Sequence, residues 1–310
     1  MKPNRRALLL GGVVAGVALL GRRRAHASDG DSRQLPAQTA WTPPPPQARA
    51  TEGLLQLPDV KLWYWDTGGM GEAIVLLHAF TGSATSWAYQ QPVFARAGYR
   101  VIAYSRRGHH RSETGPLDRT GSASGDLHAL IDALRIDRFH FVGTAGGGFV
   151  GPDYALSHSE RLLSMTLAST QGGATDPAFR AALARTQPQS FRDLPADVRE
   201  VGPAYRIANP EGLEWWKEEE RVSTEGRARV NQTPVNDLTW DNIGRITVPT
   251  LMFTGDADLY MPPPLVRLYA ARMRACETAF VAEAGHALYW EQPDAFNRLV
   301  LEFVRRHRRR

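Results

Sequence analysis

The stretch Phe141-Val-Gly-Thr-Ala-Gly-Gly-Gly-Phe-Val150 constrains this chain more than any other. Phe139, Phe141 and Val142 form an apolar run that reads as a buried strand, and Phe149 to Ser157 reads as the start of a helix. The glycine-dense segment between them must turn a strand into a helix within a few residues. Such a turn brings two backbones close together and strains its apex, so small residues are required around it. With glycines at 143 and 147, this is the setting in which a Gly-x-Ser-x-Gly turn presents a nucleophile. The apex here is Ala145, which carries no nucleophilic atom.

The turn sits in a regular alternation. Leu54–Leu57 and Val60–Trp65 read as two strands joined at Pro58-Asp59. Ala73–His78 is a continuous apolar run, as expected of a strand covered on both faces. A helix over about 84–97, a strand at Arg100–Tyr104, a helix over Gly121–Leu134 and a strand at Arg138–Val142 follow. After the turn and its helix come a strand at Leu162–Ala168, then strand, helix, strand and helix at Pro249–Thr254, Pro262–Arg274, Thr278–Val281 and Asp294–Arg306. Strands alternating with helices predict an α/β fold: a mostly parallel twisted sheet with helices on both faces. Residues 171–246 break the alternation. Their helical patches, Pro177–Thr186, Pro195–Ala204, Glu211–Arg221 and Thr224–Asn231, read as a helical lid inserted over the strand ends, with Trp215 and Trp216 as aromatics that pack the lid or line a pocket. The folded core is therefore expected at 52–170 and 247–310.

Both ends of the chain are basic. Residues 1–27 hold Lys2, Arg5, Arg6, Arg22, Arg23 and Arg24 with no acid, which more than accounts for the net charge of +5. The remaining body is close to neutral, so nucleic-acid binding is not expected. Arg5-Arg6, an apolar run from Ala7 to Leu20 and the small-x-small site Ala25-His26-Ala27 read as a twin-arginine signal peptide, with a mature start at Ser28 and a periplasmic or secreted destination. An uncleaved signal is the one route to a membrane foreseen, although the run is short of the about 20 residues a spanning helix needs. Residues 28–51, with Pro43 to Pro46 in a row, read as an extended or disordered tether of polyproline character. Cys276 is the only cysteine, so no intrachain disulfide can form.

Two residues near the C-terminus bring chemistry of their own. Phe253-Thr-Gly-Asp-Ala-Asp258 ends a strand, and a carboxylate just past a strand's carboxyl end points into the crevice where parallel sheets bind ligands. His286 follows the last strand in the same way. A carboxylate that accepts from one imidazole nitrogen fixes the tautomer and leaves the other nitrogen for proton transfer. Asp258 is assigned to that role, and Asp256 to holding the turn. The backbone N–H groups of Gly146, after the apex, and Phe80, in the loop after the Ala73–His78 strand, are the candidate oxyanion donors. Ser105, Thr144, Thr81 and Ser83 are the hydroxyls that could stand in for the missing nucleophile. His109-His110 lack metal-ligand spacing and read as loop residues. The glycine turn lacks both the Gly-Lys-Ser/Thr ending and the dinucleotide spacing, so neither metal nor cofactor is expected.

From about Leu54 to Arg306 the chain resembles the α/β-hydrolase superfamily in its lidded branch. Leu76-Leu-His-Ala-Phe-Thr-Gly-Ser83 is similar to the His-Gly oxyanion loop, with Ala79 where glycine is usual. Tyr104-Ser-Arg-Arg-Gly-His-His-Arg-Ser112 is similar to the Asp-x-Arg-Gly-x-Gly-x-Ser loop, with Ser105 in place of the aspartate. Gly143–Gly148 looks like the nucleophile elbow, Gly255-Asp-Ala-Asp258 like the acid turn, and Gly285-His286 like the histidine loop. Trp290 and Asn297-Arg298-Leu299 are similar to the subgroup that hydrolyses carbon–carbon bonds in vinylogous diketones. The aromatic content of lid and loops predicts a largely apolar pocket for a small substrate, with Trp215 and Trp290 as candidate lining residues.

Loss of the nucleophile leaves several readings open. A hydrolase of an ester, lactone or ketone could use water as nucleophile and His286 as general base. A lyase or cofactor-free oxygenase could use His286 to deprotonate its substrate. An inactive relative could bind ligand without turnover. Ala145 could also be an engineered replacement of a serine.

Overall fold

The computed structural model describes residues 33–35, 42–226, 228 and 230–308. The signal-peptide reading of 1–27 lies outside the described residues. One sheet organises the body. Its strands are β1 (Arg33–Leu35), β2 (Thr51–Gln56), β3 (Lys61–Asp66), β4 (Ala73–Leu77), β5 (Arg100–Tyr104), β6 (Phe139–Thr144), β7 (Leu162–Ala168), β8 (Thr250–Gly255) and β9 (Cys276–Val281). Their spatial order is β1-β9-β8-β7-β6-β4-β5-β3-β2. Only the β2/β3 and β3/β5 pairs are antiparallel. The α/β expectation therefore holds, with the antiparallel strands at one edge.

Strands β4, β6, β7 and β8 are buried along their whole length, which is why their sequences run apolar without alternation. Successive side chains still point to opposite faces. Ile74 and Leu76 join one core with Trp87, Phe253, Phe296 and Val300, while Val75 and Leu77 join the other with Phe139, Tyr154, Met165 and Tyr269. Helices α1 (Gln91–Arg96) and α11 (Pro293–Arg306) bury residues in the first core. Helices α2 (Ala123–Ala133), α3 (Val150–His158) and α9 (Pro263–Ala270) bury residues in the second. Each fully buried Phe or Leu contributes about 1.5–3 kcal/mol.

Strands β5 and β6 lie on opposite sides of β4, so the chain reverses its winding direction there. In a parallel sheet the loops leaving the carboxyl ends part at such a point and open a crevice. The loop after β4 and the glycine turn after β6 flank it.

Several expectations change in detail. The helix expected over about 84–97 is a 3-10 turn, Ala84–Trp87, followed by α1, which Pro92 restarts at its N-terminus. In the lid, α4 (Pro177–Thr186) matches, but Pro195–Ala204 is broken into α5 (Ala196–Glu200) and α6 (Pro203–Ala208) at Val201-Gly202. Then α7 (Pro210–Thr224) and the short α8 (Trp240–Ile243) follow, with α10 (Leu288–Glu291) lying just before α11 in the core. The Thr224–Asn231 patch is not a helix among its described residues: α7 stops at Thr224, and Gly226 at φ +66 redirects the chain. The expected disorder of 28–51 gives way wherever those residues are described. β1 pairs in parallel with β9. An extended Pro-rich segment has no internal hydrogen bonds to satisfy its backbone, and here side chains of the body supply them. Tyr89 Oη donates to Thr42 O (2.6 Å), Gln91 Nε2 to Ala48 O (2.8 Å), and Ala48 N to Gln91 Oε1 (2.9 Å).

Candidate active site

The elbow has the geometry its glycines imply. Ala145 sits at φ +46, a left-handed conformation that costs a non-glycine residue about 1–3 kcal/mol. A short 3-10 segment, Ala145–Phe149, leads into α3. A Cβ on Gly147 would stand 2.3 Å from the Leu77 carbonyl oxygen and 2.6 Å from that of His78, so the turn can pack on β4 only with glycine there. Thr170 Oγ1 donates to the Ala145 carbonyl (2.6 Å) and holds the apex from the loop after β7.

His286 and Asp258 meet as expected. Asp258 is fully buried, and its two carboxylate oxygens lie 3.0 and 2.9 Å from His286 Nδ1. Thr254 Oγ1 donates to the same carboxylate (2.7 Å), as do the N–H groups of Tyr260 (2.8 Å) and Met261 (3.1 Å). Burial alone would raise the Asp258 carboxyl, but the His286 charge and these hydrogen bonds outweigh it and hold it below the usual carboxylate range. Asp256 accepts from Glu283 N (2.6 Å) and ties the acid turn to the loop after β9, the turn-holding role expected of it.

Ala145, Gly146, Phe80 and His286 all line one cavity of about 380 Å³. Gly146 lies against the Phe80 ring, so closely that a Cβ at 146 would come within 2.4 Å of it. His109 also reaches this wall, where burial pushes its imidazole down to about 4 and keeps it neutral. The loop carrying Phe80 is braced by His78, whose Nδ1–H donates to Ala79 O (2.7 Å) while Nε2 accepts from Arg106 N (2.9 Å). Of the four alternative hydroxyls, Thr81 alone lines the cavity. Ser105 accepts from Ala84 N (3.3 Å), Ser83 caps the 84–87 turn, and Thr144 is buried in β6. Neither lining tryptophan is there. Trp290 is buried in the core, its Nε1–H donating to Gly212 O (3.2 Å), and Trp215 is half-exposed on α7 while Trp216 turns inward.

The lid side differs from the apolar wall expected: Arg192, Arg199, Glu200 and Thr224 line it, with Gln171 from the loop after β7. No sequence signal marked Glu200. Its carboxylate Oε2 lies 3.9 Å from His286 Nε2, on the side of the imidazole opposite Asp258. Burial raises the Glu200 carboxyl more than the His286 and Arg199 charges lower it. Burial pulls His286 down, but Asp258 and Glu200 together more than reverse this and hold the imidazole up at about 9. Tyr260 stacks obliquely on the ring, with centroids 4.2 Å apart.

A second buried carboxylate joins lid and histidine loop. Glu291 Oε2 accepts from Gly202 N and from Gly285 N, both at 2.9 Å. Burial outweighs these bonds and pushes Glu291 up to about 8. The folded protein therefore keeps a proton that the unfolded chain gives up at lower pH. This contribution to stability is complete below the usual carboxylate range and is lost as pH rises through about 8. Glu291→Gln keeps an oxygen for both N–H groups and has no proton to lose. Its Tm relative to the unaltered protein is expected to climb between about pH 5 and about pH 9, by several degrees for a few kcal/mol. A Tm difference that does not move with pH in scanning calorimetry would assign the effect elsewhere.

Comparison with known proteins identifies relatives of this fold. A 2-hydroxy-6-oxononadienedioate/2-hydroxy-6-oxononatrienedioate hydrolase of Burkholderia vietnamiensis is 30% identical over 281 residues, 80% of this chain and 92% of that one. A hydrolase from Pseudomonas aeruginosa superposes with a TM-score of 0.65 at 25% identity, covering 82% of this chain and 98% of its own. An enol-lactonase from Burkholderia xenovorans, at 23% identity and a TM-score of 0.61 over 79% of this chain and 97% of its own, shares the fold. The family model described as the alpha/beta hydrolase family matches residues 74–299. With that match spanning most of the chain, and with elbow, acid and histidine in order around one cavity, this protein belongs to the alpha/beta hydrolase family.

Proposed function

We propose that the protein is a hydrolase of a small ester, lactone or ketone, the last cleaved at a carbon–carbon bond, with water in place of the missing serine. The observation that carries this reading is the 2.9 Å pairing of His286 with Asp258 on a cavity that also holds Ala145 and Gly146. An apex without a side-chain oxygen leaves room for a water molecule at the reacting carbon. The Gly146 and Phe80 N–H groups serve the developing oxyanion, the term that most often dominates such catalysis. His286, held up at about 9, is an imidazolium at neutral pH and enters as a proton donor to the leaving group. Arg192, Arg199 and Gln171 on the lid side favour a substrate whose far end is acidic or rich in carbonyls. Export through the twin-arginine signal belongs to the same proposal, and would place the reaction outside the cytoplasm.

The test is a screen of the full chain against esters, lactones and vinylogous diketones with and without a terminal carboxylate. Product release is followed by absorbance and mass spectrometry. Turnover at least about 10³-fold above buffer is expected, the level an oxyanion site sustains without its serine. Thermal stabilisation by these compounds with no product formed would instead identify a binding protein.

A further inference from the structure

We propose that Glu200 is a catalytic residue, the general base that takes the proton from the attacking water, while His286 acts as the acid. This rests on the hydrolase reading above and divides its proton transfers between two residues.

The geometry points to Glu200 in three ways. It lines the same cavity as Ala145 and Gly146, on the lid side facing the elbow loops. Its Oε2 stands 3.9 Å from His286 Nε2, too far for a direct hydrogen bond but close enough for one water to bridge them. Nε2 is the nitrogen that Asp258 leaves for proton transfer, and with alanine at 145 no serine oxygen competes for it.

Glu200 is also held in place. The break between α5 and α6 leaves the Glu200 carbonyl free of helix bonding, and it accepts from Ala287 N, next to the histidine, at 2.8 Å. Two residues on, Gly202 N shares the Glu291 carboxylate with Gly285 N. Two hydrogen bonds thus join 200–202 to 285–291, and a third ties Gly285 to the same Glu291 carboxylate, so this part of the lid and His286 are fixed to each other. On the side-chain end, Arg199 Nη1 donates to Tyr260 Oη (2.9 Å), and both groups act on the Glu200 carboxylate. The charged and titratable groups that face Glu200 are therefore His286, Asp258, Arg199 and Tyr260. A buried carboxylate whose backbone is fastened to the histidine loop beside a paired imidazole is poised for acid–base work rather than free to swing as a surface side chain.

The steps balance. Water loses a proton to the Glu200 carboxylate as its oxygen bonds to the substrate carbonyl carbon. The carbonyl π pair moves to oxygen beside the Gly146 N–H. When the tetrahedral species collapses, the bond to the leaving group breaks, and the leaving atom takes its proton from His286 Nε2. The proton on Glu200 then passes to the neutral imidazole through the intervening water, which restores both groups.

Full-length Glu200→Gln, Glu200→Asp and His286→Ala test this on a substrate found in the screen. Glu200→Gln is expected to lower kcat at least about 100-fold with KM changed less than about threefold. It should also erase the acidic limb of the kcat–pH profile and move the alkaline limb to lower pH together with the His286 titration. Glu200→Asp should recover part of kcat. In parallel, 15N NMR of His286 is expected to show Nε2 losing its proton at lower pH in Glu200→Gln, by more than about one pH unit. A Glu200→Gln protein that keeps kcat within about threefold while His286→Ala loses it would overturn the role of Glu200 and leave the hydrolase reading standing. A His286 titration unmoved by Glu200→Gln would overturn it without any substrate. Absence of turnover in the unaltered protein would remove the hydrolase reading, and the base with it, even where the NMR shift shows the two groups coupled.

Discussion

Ala145→Ser is expected to convert a protein that fluorophosphonates leave untouched into one they label stoichiometrically. The labelling reaction needs a hydroxyl at a strained strand-to-helix apex, an oxyanion site beside it and a base within reach. All but the hydroxyl are in place. The apex already holds φ +46 with alanine, is fastened by Thr170 Oγ1, and is packed on β4 through Gly147. A serine would inherit that conformation rather than have to create it. The rate should carry a pH signature. Serine needs a neutral imidazole, and with His286 held up at about 9 only about a hundredth of the molecules are competent at pH 7. Labelling of Ala145→Ser should therefore accelerate about fiftyfold from about pH 7 to about pH 9, where half of the imidazole is neutral, read by intact-protein mass. Labelling of the unaltered protein at Thr81, the one of the four candidate hydroxyls that lines the cavity, would overturn the water-as-nucleophile reading. Failure of Ala145→Ser to label at high pH would mean that His286 is not directed at the apex.

Asp258→Asn should lower turnover by about 10³–10⁴, the scale of the corresponding change in serine-triad enzymes. The substitution preserves shape but not charge. Asp258 accepts from His286, Thr254 Oγ1, Tyr260 N and Met261 N, and an amide cannot accept all four. It also removes the carboxylate that does most to hold His286 up, so the alkaline limb of the kcat–pH profile should shift to lower pH. Breaking a buried pair by removing one charge costs about 3–5 kcal/mol, a Tm loss on the order of ten degrees for a domain of this size. The Tm loss with turnover intact would make the pair structural and withdraw the proposed chemistry.

Much of the catalytic side of the cavity was legible before folding was considered. Buried strands announce themselves as unbroken apolar runs, and the candidate site residues follow at their carboxyl ends: Phe80 and Thr81 after β4, Ala145 and Gly146 after β6, Asp258 after β8, His286 after β9. The lid was legible only as a set of helices. Trp215 was the wrong tryptophan to place at a pocket, because neighbours on a helix point about 100° apart, and burial of Trp216 turns Trp215 outward. Trp290 failed for a different reason: α10 packs into the core beside α11, and its indole is used there. What fastens the described part of the tether was not legible, because its partners, Tyr89 and Gln91, lie far along the chain.

Local order along the chain determined the parallel sheet, the strained glycine turn, the acid and the histidine, since strand period and glycine spacing act between near neighbours. It also determined that the apex has no nucleophile. Only the tertiary structure decided what faces the free nitrogen of His286. Glu200 reaches it because the helix breaks at Val201-Gly202 and Glu291 binds that break to the histidine loop. Such a meeting depends on how separate segments pack, and neither segment carries a pattern that names the other.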